Sequence, residues 1–259
     1  MKRWRARVRA TGTPWPEHLI TGRHHGGRIT VPAAATITVR SADLQDVDLS
    51  RQPFDNYLAR GSTLTGCDFT GTVWGGGVLG DAPQVEYRDC DFTRADLKRV
   101  GPRFARFVGC RFDGADLDGW NAMCAEFVGC TFTGRLAEVR FSAVPWGIGR
   151  DKAKKLRSRN DFTGNDFTGA ELVDCMVAGG IDLDANRWPA DHIIIRDAQR
   201  RIQAARVALP DADRTPAPGA MSPLGALLTT YSIGAFALQR DLLLHPTDPG
   251  AGLARLPDR

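Results

Sequence analysis

The most constraining feature of this 259-residue sequence is a large apolar residue that returns at every fifth position. The series runs from Leu44 through Leu49 and Phe54, and three extra residues between Leu79 and Tyr87 shift its phase before it resumes. Neither an α-helix nor a flat β-strand has this period. Residues two apart share one face of an extended segment, but five is odd. All large residues can therefore face inward only if the chain turns a corner once in every five residues.

Four such corners close a coil of twenty residues, and the sequence repeats itself over that distance. Residues 107–110 (FVGC) return at 127–130, and Phe112 returns as Phe132. Equivalent residues of successive coils should stack at the strand spacing of about 4.8 Å. We therefore predict one column made of Cys90, Cys110 and Cys130 and another made of Phe92, Phe112 and Phe132.

The six cysteines follow the same rhythm, with Cys124 as the exception. A reduced thiol in a small inward position behaves as a compact hydrophobe. No CxxC pair and no histidine at ligand spacing accompanies the cysteines, so we expect no metal site and no cofactor. The cysteines predicted to fill space in the core are Cys67, Cys90, Cys110, Cys130 and Cys175.

Units such as Ala95-Asp96-Leu97 and Ala115-Asp116-Leu117 resemble those of pentapeptide-repeat proteins, which follow the pattern A(D/N)LXX. The resemblance covers about residues 36–187. It implies an all-β solenoid, wound as a right-handed quadrilateral β-helix of pentapeptide repeats. The glycine-rich unit at 75–77 departs from the pattern and predicts a local bulge.

The segments on either side of the repeat have other periods. In residues 1–35 arginines alternate with apolar residues, which predicts a basic N-terminal strand cap for the solenoid end, either merely solvated or binding an anion. Residues 188–259 predict a helical C-terminal region. Its first helix would span 192–208, and its second would begin after Ser222 and end near Leu244. These helices would dock on the solenoid or join two chains in a homodimer.

A second interruption, at residues 142–160, follows Phe141. Trp146 lies within it, five residues after Phe141, and we assign both residues to the inward series. It is strongly basic and would form a solvated loop or a short exposed helix. Insertions on rigid scaffolds are common recognition sites. The candidate partner-binding residues are Arg150, Lys152, Lys154, Lys155, Arg157 and Arg159 of this segment, with the outward carboxylates of Asp96 and Asp116.

The charge is unevenly distributed along the chain. Residues 1–40 carry eight basic and one acidic side chain, whereas residues 41–186 carry 17 basic and 22 acidic ones. The net charge of +4 therefore conceals an acidic rod with cationic attachments.

No HExxH, GxSxG, P-loop or dinucleotide-binding fingerprint is present in the sequence. We therefore expect a non-enzymatic binding or scaffold protein that acts through protein–protein contacts. Some pentapeptide-repeat proteins protect DNA gyrase from quinolones by imitating DNA with an acidic rod. The resemblance thus implies an alternative, a DNA-mimicking modulator or protector of DNA gyrase.

Other partners and locations fit the sequence less well. The uncharged stretch between Arg214 and Arg240 contains three prolines, which makes it poor material for a membrane span. The basic N-terminus has no apolar stretch behind it, so we expect a cytoplasmic protein with reduced thiols. No reading helix or base-stacking platform is evident, and we expect no direct binding of nucleic acid.

Overall fold

The computed structural model describes residues 17–32, 35–147, 149–197, 200 and 241–244. The alternating arginines before residue 17 lie outside these described residues. So does most of the predicted helical C-terminal region.

The chain folds as a β-solenoid of about six turns. Its one helix in the described residues is α1 (Arg150–Leu156). None of the described residues forms a helix with the length and hydropathy that crossing a bilayer requires. The strands are β1 (Glu17–His25), β2 (Thr36–Gln45), β3 (Pro53–Phe54), β4 (Asn56–Arg60), β5 (Thr63–Thr65), β6 (Val73–Trp74), β7 (Gly77–Asp81), β8 (Glu86–Arg88), β9 (Val100–Gly101), β10 (Arg106–Val108), β11 (Arg111–Asp113), β12 (Asn121–Ala122), β13 (Glu126–Val128), β14 (Thr131–Ala137), β15 (Arg140–Ser142), β16 (Phe162–Thr163), β17 (Asp166–Val173), β18 (Met176–Ala178), β19 (Ile193–Ile195) and β20 (Leu242–Leu244).

Strands of successive coils pair in parallel. The largest sheet has the order β16-β13-β10-β8-β5-β2-β4-β7-β9, with β1 added to β2. Two sheets of three strands, β11-β14-β17 and β12-β15-β18, and the pair β3-β6 complete the walls. Phe107 pairs with Phe127 and Phe112 with Phe132, as the twenty-residue repeat predicts. The predicted stacking of coils is therefore confirmed.

Aromatic rings fill the interior in columns. Phe92 stacks on Phe112 at 5.1 Å between ring centroids, and Phe112 stacks on Phe132 at 5.0 Å, with both pairs within 5° of parallel. Phe69 extends this column at one end and Phe167 at the other. All five side chains are fully buried. The predicted phenylalanine column is confirmed.

A column of thiols runs beside the rings and also confirms the prediction. The Sγ of Cys90 donates to the carbonyl of Leu64 at 3.3 Å, and the Sγ of Cys110 donates to that of Tyr87 at 3.3 Å. Cys130 repeats the contact with Phe107 at 3.5 Å. Each acceptor belongs to the preceding coil. Cys67 makes the same contact at the start of the column, whereas Cys175 is half-buried and donates to Leu136 in another part of the core.

Asparagines continue the thiol column and show that the cysteines do more than fill space. The Nδ2 of Asn165 donates to the carbonyl of Phe127 at 3.0 Å, and the Nδ2 of Asn186 donates to that of Phe162 at 3.3 Å. Both amides thus occupy the place of the Cys130 thiol one and two coils further on. A buried carbonyl without a donor is costly. From Cys67 onward the position therefore holds a small side chain that donates a hydrogen bond, whereas the buried Val47 occupies it one coil earlier.

The glycine-rich unit shows a close approach of two backbones. At Gly77, where φ is 116°, a Cβ atom would lie only 1.9 Å from the carbonyl oxygen of Tyr57. The register between β4 and β7 shifts just after this glycine, opposite Leu58 to Arg60. The predicted bulge is thus displaced from 75–77 to the residues that follow.

Two helix predictions at the C-terminus are wrong at the residues the structure describes. Ile193–Ile195 form β19 and pair in antiparallel fashion with β20, Leu242–Leu244, where the sequence predicted helix in both segments. Three consecutive isoleucines favour a strand, because β-branched side chains fit an extended backbone better than a helix. Residues 201–240, between the two strands, lie outside the described part of the chain.

The aromatic column generates a stability prediction. Phe112→Ala would leave a cavity between Phe92 and Phe132 and should lower the free energy of unfolding by about 3–5 kcal/mol. Denaturant unfolding measures this change. The matched control is Val73→Ala, since Val73 is 53% exposed on the outer wall, and it should cost less than about 1 kcal/mol. Equal losses in the two variants would contradict the stacked core.

Candidate partner-binding site

The second interruption, residues 142–160, leaves the coil and returns to it at nearly the same place, and we call this segment the excursion. Its neck is held by Asn160, whose backbone N–H donates to the carbonyl of Ala143 at 2.8 Å. The side-chain amide of Asn160 donates to the carbonyls of Ser142 at 2.7 Å and Met123 at 2.9 Å. The chain therefore returns to the coil close to the place where it left, and the solenoid continues undisturbed.

Helix α1 of this excursion docks on the outside of the wall. Ala153 is fully buried against Phe104 and Cys124, which form an apolar cluster separate from the main core. The fit is tight, because a Cβ on Gly149 would lie 3.1 Å from the Phe104 ring. Cys124 is the cysteine that breaks the rhythm of the sequence, and its place under α1 explains why. Burial raises the pKa of its thiol.

The first interruption, formed by the extra residues between Leu79 and Tyr87, lies beside the second. Ala82 packs against the cluster of Phe104, Cys124 and Ala153. Asp81 approaches Lys152 of α1, with 3.9 Å between the carboxylate oxygen and Nζ. Asp81 and Lys152 are 71 residues apart in the chain (152 − 81), yet the two interruptions form one structure on the wall.

A nearly buried glutamate ties the excursion to the coils. The side chain of Glu126 is 7% exposed and forms ion pairs with Arg106 and Arg157, each at 3.3 Å. Arg157 also donates to the carbonyl of Cys124 at 2.6 Å and to Asn160 Oδ1 at 3.0 Å. Burial lowers the pKa of Arg157, and the Glu126 carboxylate opposes that effect. Among the six basic residues predicted to bind a partner, Arg157 is therefore committed to holding α1 in place.

The other five predicted cations are exposed. Arg150 lies 5.9 Å from the centre of the Trp146 ring, and Arg159 donates to the carbonyl of Gly180 at 2.9 Å. Lys154 and Lys155 form no ion pair with any described residue. Trp146 is itself 40% exposed, so its assignment to the inward series is wrong. The chain has already left the coil at Ala143, and Trp146 belongs to the excursion.

Asp96 and Asp116 stack on one wall and share a cation. Lys98 Nζ lies 3.3 Å from the Asp96 carboxylate and 3.0 Å from that of Asp116. The two carboxylates, first Asp116 and then Asp96, raise the pKa of Lys98. Within the described residues, neither aspartate makes a hydrogen bond or ion pair with the excursion.

The longest acidic row that the bridges define is short. Asp48, Asp68 and Asp91 follow one another in adjacent coils, with Arg28 before them and Arg111 after them. Arg28 forms an ion pair with Asp48 at 2.6 Å. Arginines therefore flank this row at both ends.

In the described part of the chain, no group of three or more His, Cys, Asp or Glu side chains is arranged to hold a metal ion.

No protein-family model and no curated protein sequence matches the chain. Solved structures of QnrB1, described as a plasmid-mediated fluoroquinolone resistance protein, resemble part of it. One trypsin-treated variant has a TM-score of 0.35 and 14% identity over 74% of this chain and 98% of that one. A second trypsin-treated variant has a TM-score of 0.30 and 15% identity over 74% of this chain and 89% of that one. Full-length QnrB1 has a TM-score of 0.24 and 16% identity over 74% of this chain and 100% of that one. At these TM-scores the likeness carries no argument about function.

The docking of α1 can be tested by one substitution. Ala153→Glu would place a carboxylate against Phe104 and Cys124, and the cost of burying that charge should release α1 from the wall. Hydrogen exchange should show that the backbone amides of α1 lose their protection, while the amides of β13 in the coil stay protected. Lys154→Glu is the control, because Lys154 lies on the exposed side of the same helix. Unchanged protection of α1 in Ala153→Glu would refute the docking.

Proposed function

We propose that this protein is a non-enzymatic scaffold that binds a protein partner through its docked excursion. The observation that carries the proposal is that Ala153 and Arg157 fix α1 on the wall while Trp146 and the lysines of α1 stay exposed. A surface that is already ordered loses little conformational entropy on binding. A rigid wall with a projecting basic helix therefore suits recognition.

The environment of the outward carboxylates supports a binding role over catalysis. General acid–base work needs a carboxyl group whose pKa is tuned towards neutrality. Asp96 and Asp116 are about one-third exposed, and Lys98 holds both carboxylates in a surface ion pair, so they serve a structural contact on the wall. We extend the proposal to a right-handed, four-sided coil, a cytoplasmic location and a homodimer formed through the C-terminal segment.

Site-specific crosslinking tests the binding role. A photoreactive amino acid at position 155, on α1, should yield a discrete product in a lysate of the source cells. Excess wild-type protein should abolish that product by competition, whereas excess Ala153→Glu should not. The same photoreactive amino acid at position 40, an exposed site on the wall, is the matched control. Identical products from both positions would contradict a partner site on the excursion.

The second candidate function is modulation of DNA gyrase by imitation of DNA. The row of Asp48, Asp68 and Asp91 favours it, because three carboxylates aligned along the coil axis present a repeated negative charge. Duplex DNA likewise presents a regular array of negative charge to its partners. The flanking arginines Arg28 and Arg111 shorten the imitation to three coils.

A supercoiling assay decides this second candidate. If it holds, the purified protein at micromolar concentration should change gyrase activity, or reduce its inhibition by a fluoroquinolone. Asp48→Asn, Asp68→Asn and Asp91→Asn combined should abolish the effect, because the amide oxygen can still accept the local hydrogen bonds while the charge is lost. No effect of the wild-type protein would remove the candidate.

A further inference from the structure

Lysine is concentrated in α1 to an unusual degree. The chain has 34 lysines and arginines, of which only Lys2, Lys98, Lys152, Lys154 and Lys155 are lysines. Three of these five lie in the seven residues of α1. Arginine suits fixed, bidentate pairs with carboxylates, whereas lysine is a flexible and strongly hydrated point charge. Most ion pairs on the walls use arginine, such as Arg28 with Asp48 and Arg135 with Asp118, whereas the three lysines of α1 are all exposed.

Apolar side chains accompany these charges. Only four large hydrophobic residues of the described chain are substantially exposed, namely Leu19, Val73, Trp146 and Leu156. Two of these four residues, Trp146 and Leu156, belong to the excursion. Aromatic residues and arginines are typical anchors of protein interfaces. We call the surface formed by Trp146, Arg150, Lys152, Lys154, Lys155 and Leu156 the excursion patch.

We propose that the excursion patch binds an acidic peptide segment of the partner, one with several Asp or Glu carboxylates and at least one large apolar side chain. This inference rests on the proposed function and names the chemistry of the partner. The carboxylates would pair with the lysines and Arg150. The apolar side chain would pack on Trp146 or Leu156, which are too exposed to be part of the solenoid core.

The size of the patch favours a peptide over a nucleic acid. A seven-residue helix is about 10 Å long, so α1 can match only a few charges. Acidic groups interrupt it, since Asp151 of α1 pairs with Arg150 at 3.4 Å and Asp81 lies 3.9 Å from Lys152. A phosphate backbone continues its negative charge in both directions and would run onto these acids. A short acidic segment can end where the patch ends.

Fluorescence anisotropy with a labelled peptide of sequence EELEEF provides the first test. The wild-type protein should bind this peptide, and affinity should fall about tenfold or more as ionic strength rises from about 0.05 to 0.5 M, because the charges are exposed to solvent. The neutral peptide QQLQQF and a single-stranded thymidine oligonucleotide of equal charge are the comparisons. Equal binding of the neutral peptide, or tighter binding of the oligonucleotide, would overturn the proposal.

Charge reversal locates the binding. The triple variant Lys152→Glu, Lys154→Glu and Lys155→Glu should weaken peptide binding by at least about tenfold, and Trp146→Ala by about threefold or more. The matched control reverses Arg40, Arg60 and Arg99, three exposed arginines on the wall, and should change affinity less than about twofold. A loss as large in the control would show a general charge effect and refute the assignment.

Lysine acetylation of the wild-type protein gives a test that needs no variant. Bound EELEEF should slow acetylation of Lys152, Lys154 and Lys155 but not that of Lys98, which Asp96 and Asp116 already hold. Uniform protection, or none, would overturn the proposal. If the peptide fails while crosslinking through position 155 succeeds, the binding function stands and only the acidic chemistry of its partner is wrong.

Discussion

The structure depends on the stacking of each coil on its predecessor through parallel backbone hydrogen bonds. Buried apolar side chains fill the interior, so its backbone carbonyl groups need hydrogen-bond donors from the protein itself. In one column thiols and then amides do this, from Cys67 to Asn186, each donating to a carbonyl of the preceding coil. Stacked rings fill the adjoining space, and together they define where each segment must lie.

This constraint decides where extra residues can be accommodated. A coil that gains residues must still meet its neighbour in register, so the additions can only bulge outward at a corner. Both interruptions do so, at about 81–84 and at 144–159, and both lie on the same part of the wall. Gln84 of the first donates to Glu126 at 2.7 Å, and Arg157 of the second pairs with the same carboxylate. The candidate site is therefore a consequence of how the solenoid handles departures from its repeat.

The columns were predictable because a stacking rule maps directly onto a sequence period. Phe92, Phe112 and Phe132 are twenty residues apart, and no other fact is needed to superimpose them. The same rule failed at Trp146. This residue follows Phe141 by five positions, as the repeat requires, but it belongs to the excursion and not to the core. It also missed Asn165 and Asn186, because the position was interpreted as small and apolar, whereas its residues from Cys67 onward donate hydrogen bonds.

The sequence by itself determined the coil, its register and the buried cysteines, since these follow from local spacing repeated many times. It also placed the cations of 150–159 in one exposed segment. Only the tertiary structure decided that Arg157 turns inward to Glu126 while the lysines face solvent, and that Phe104 and Cys124 form the seat of α1. Those contacts join residues that are twenty to sixty positions apart across irregular segments, where no period relates one residue to its neighbour in space.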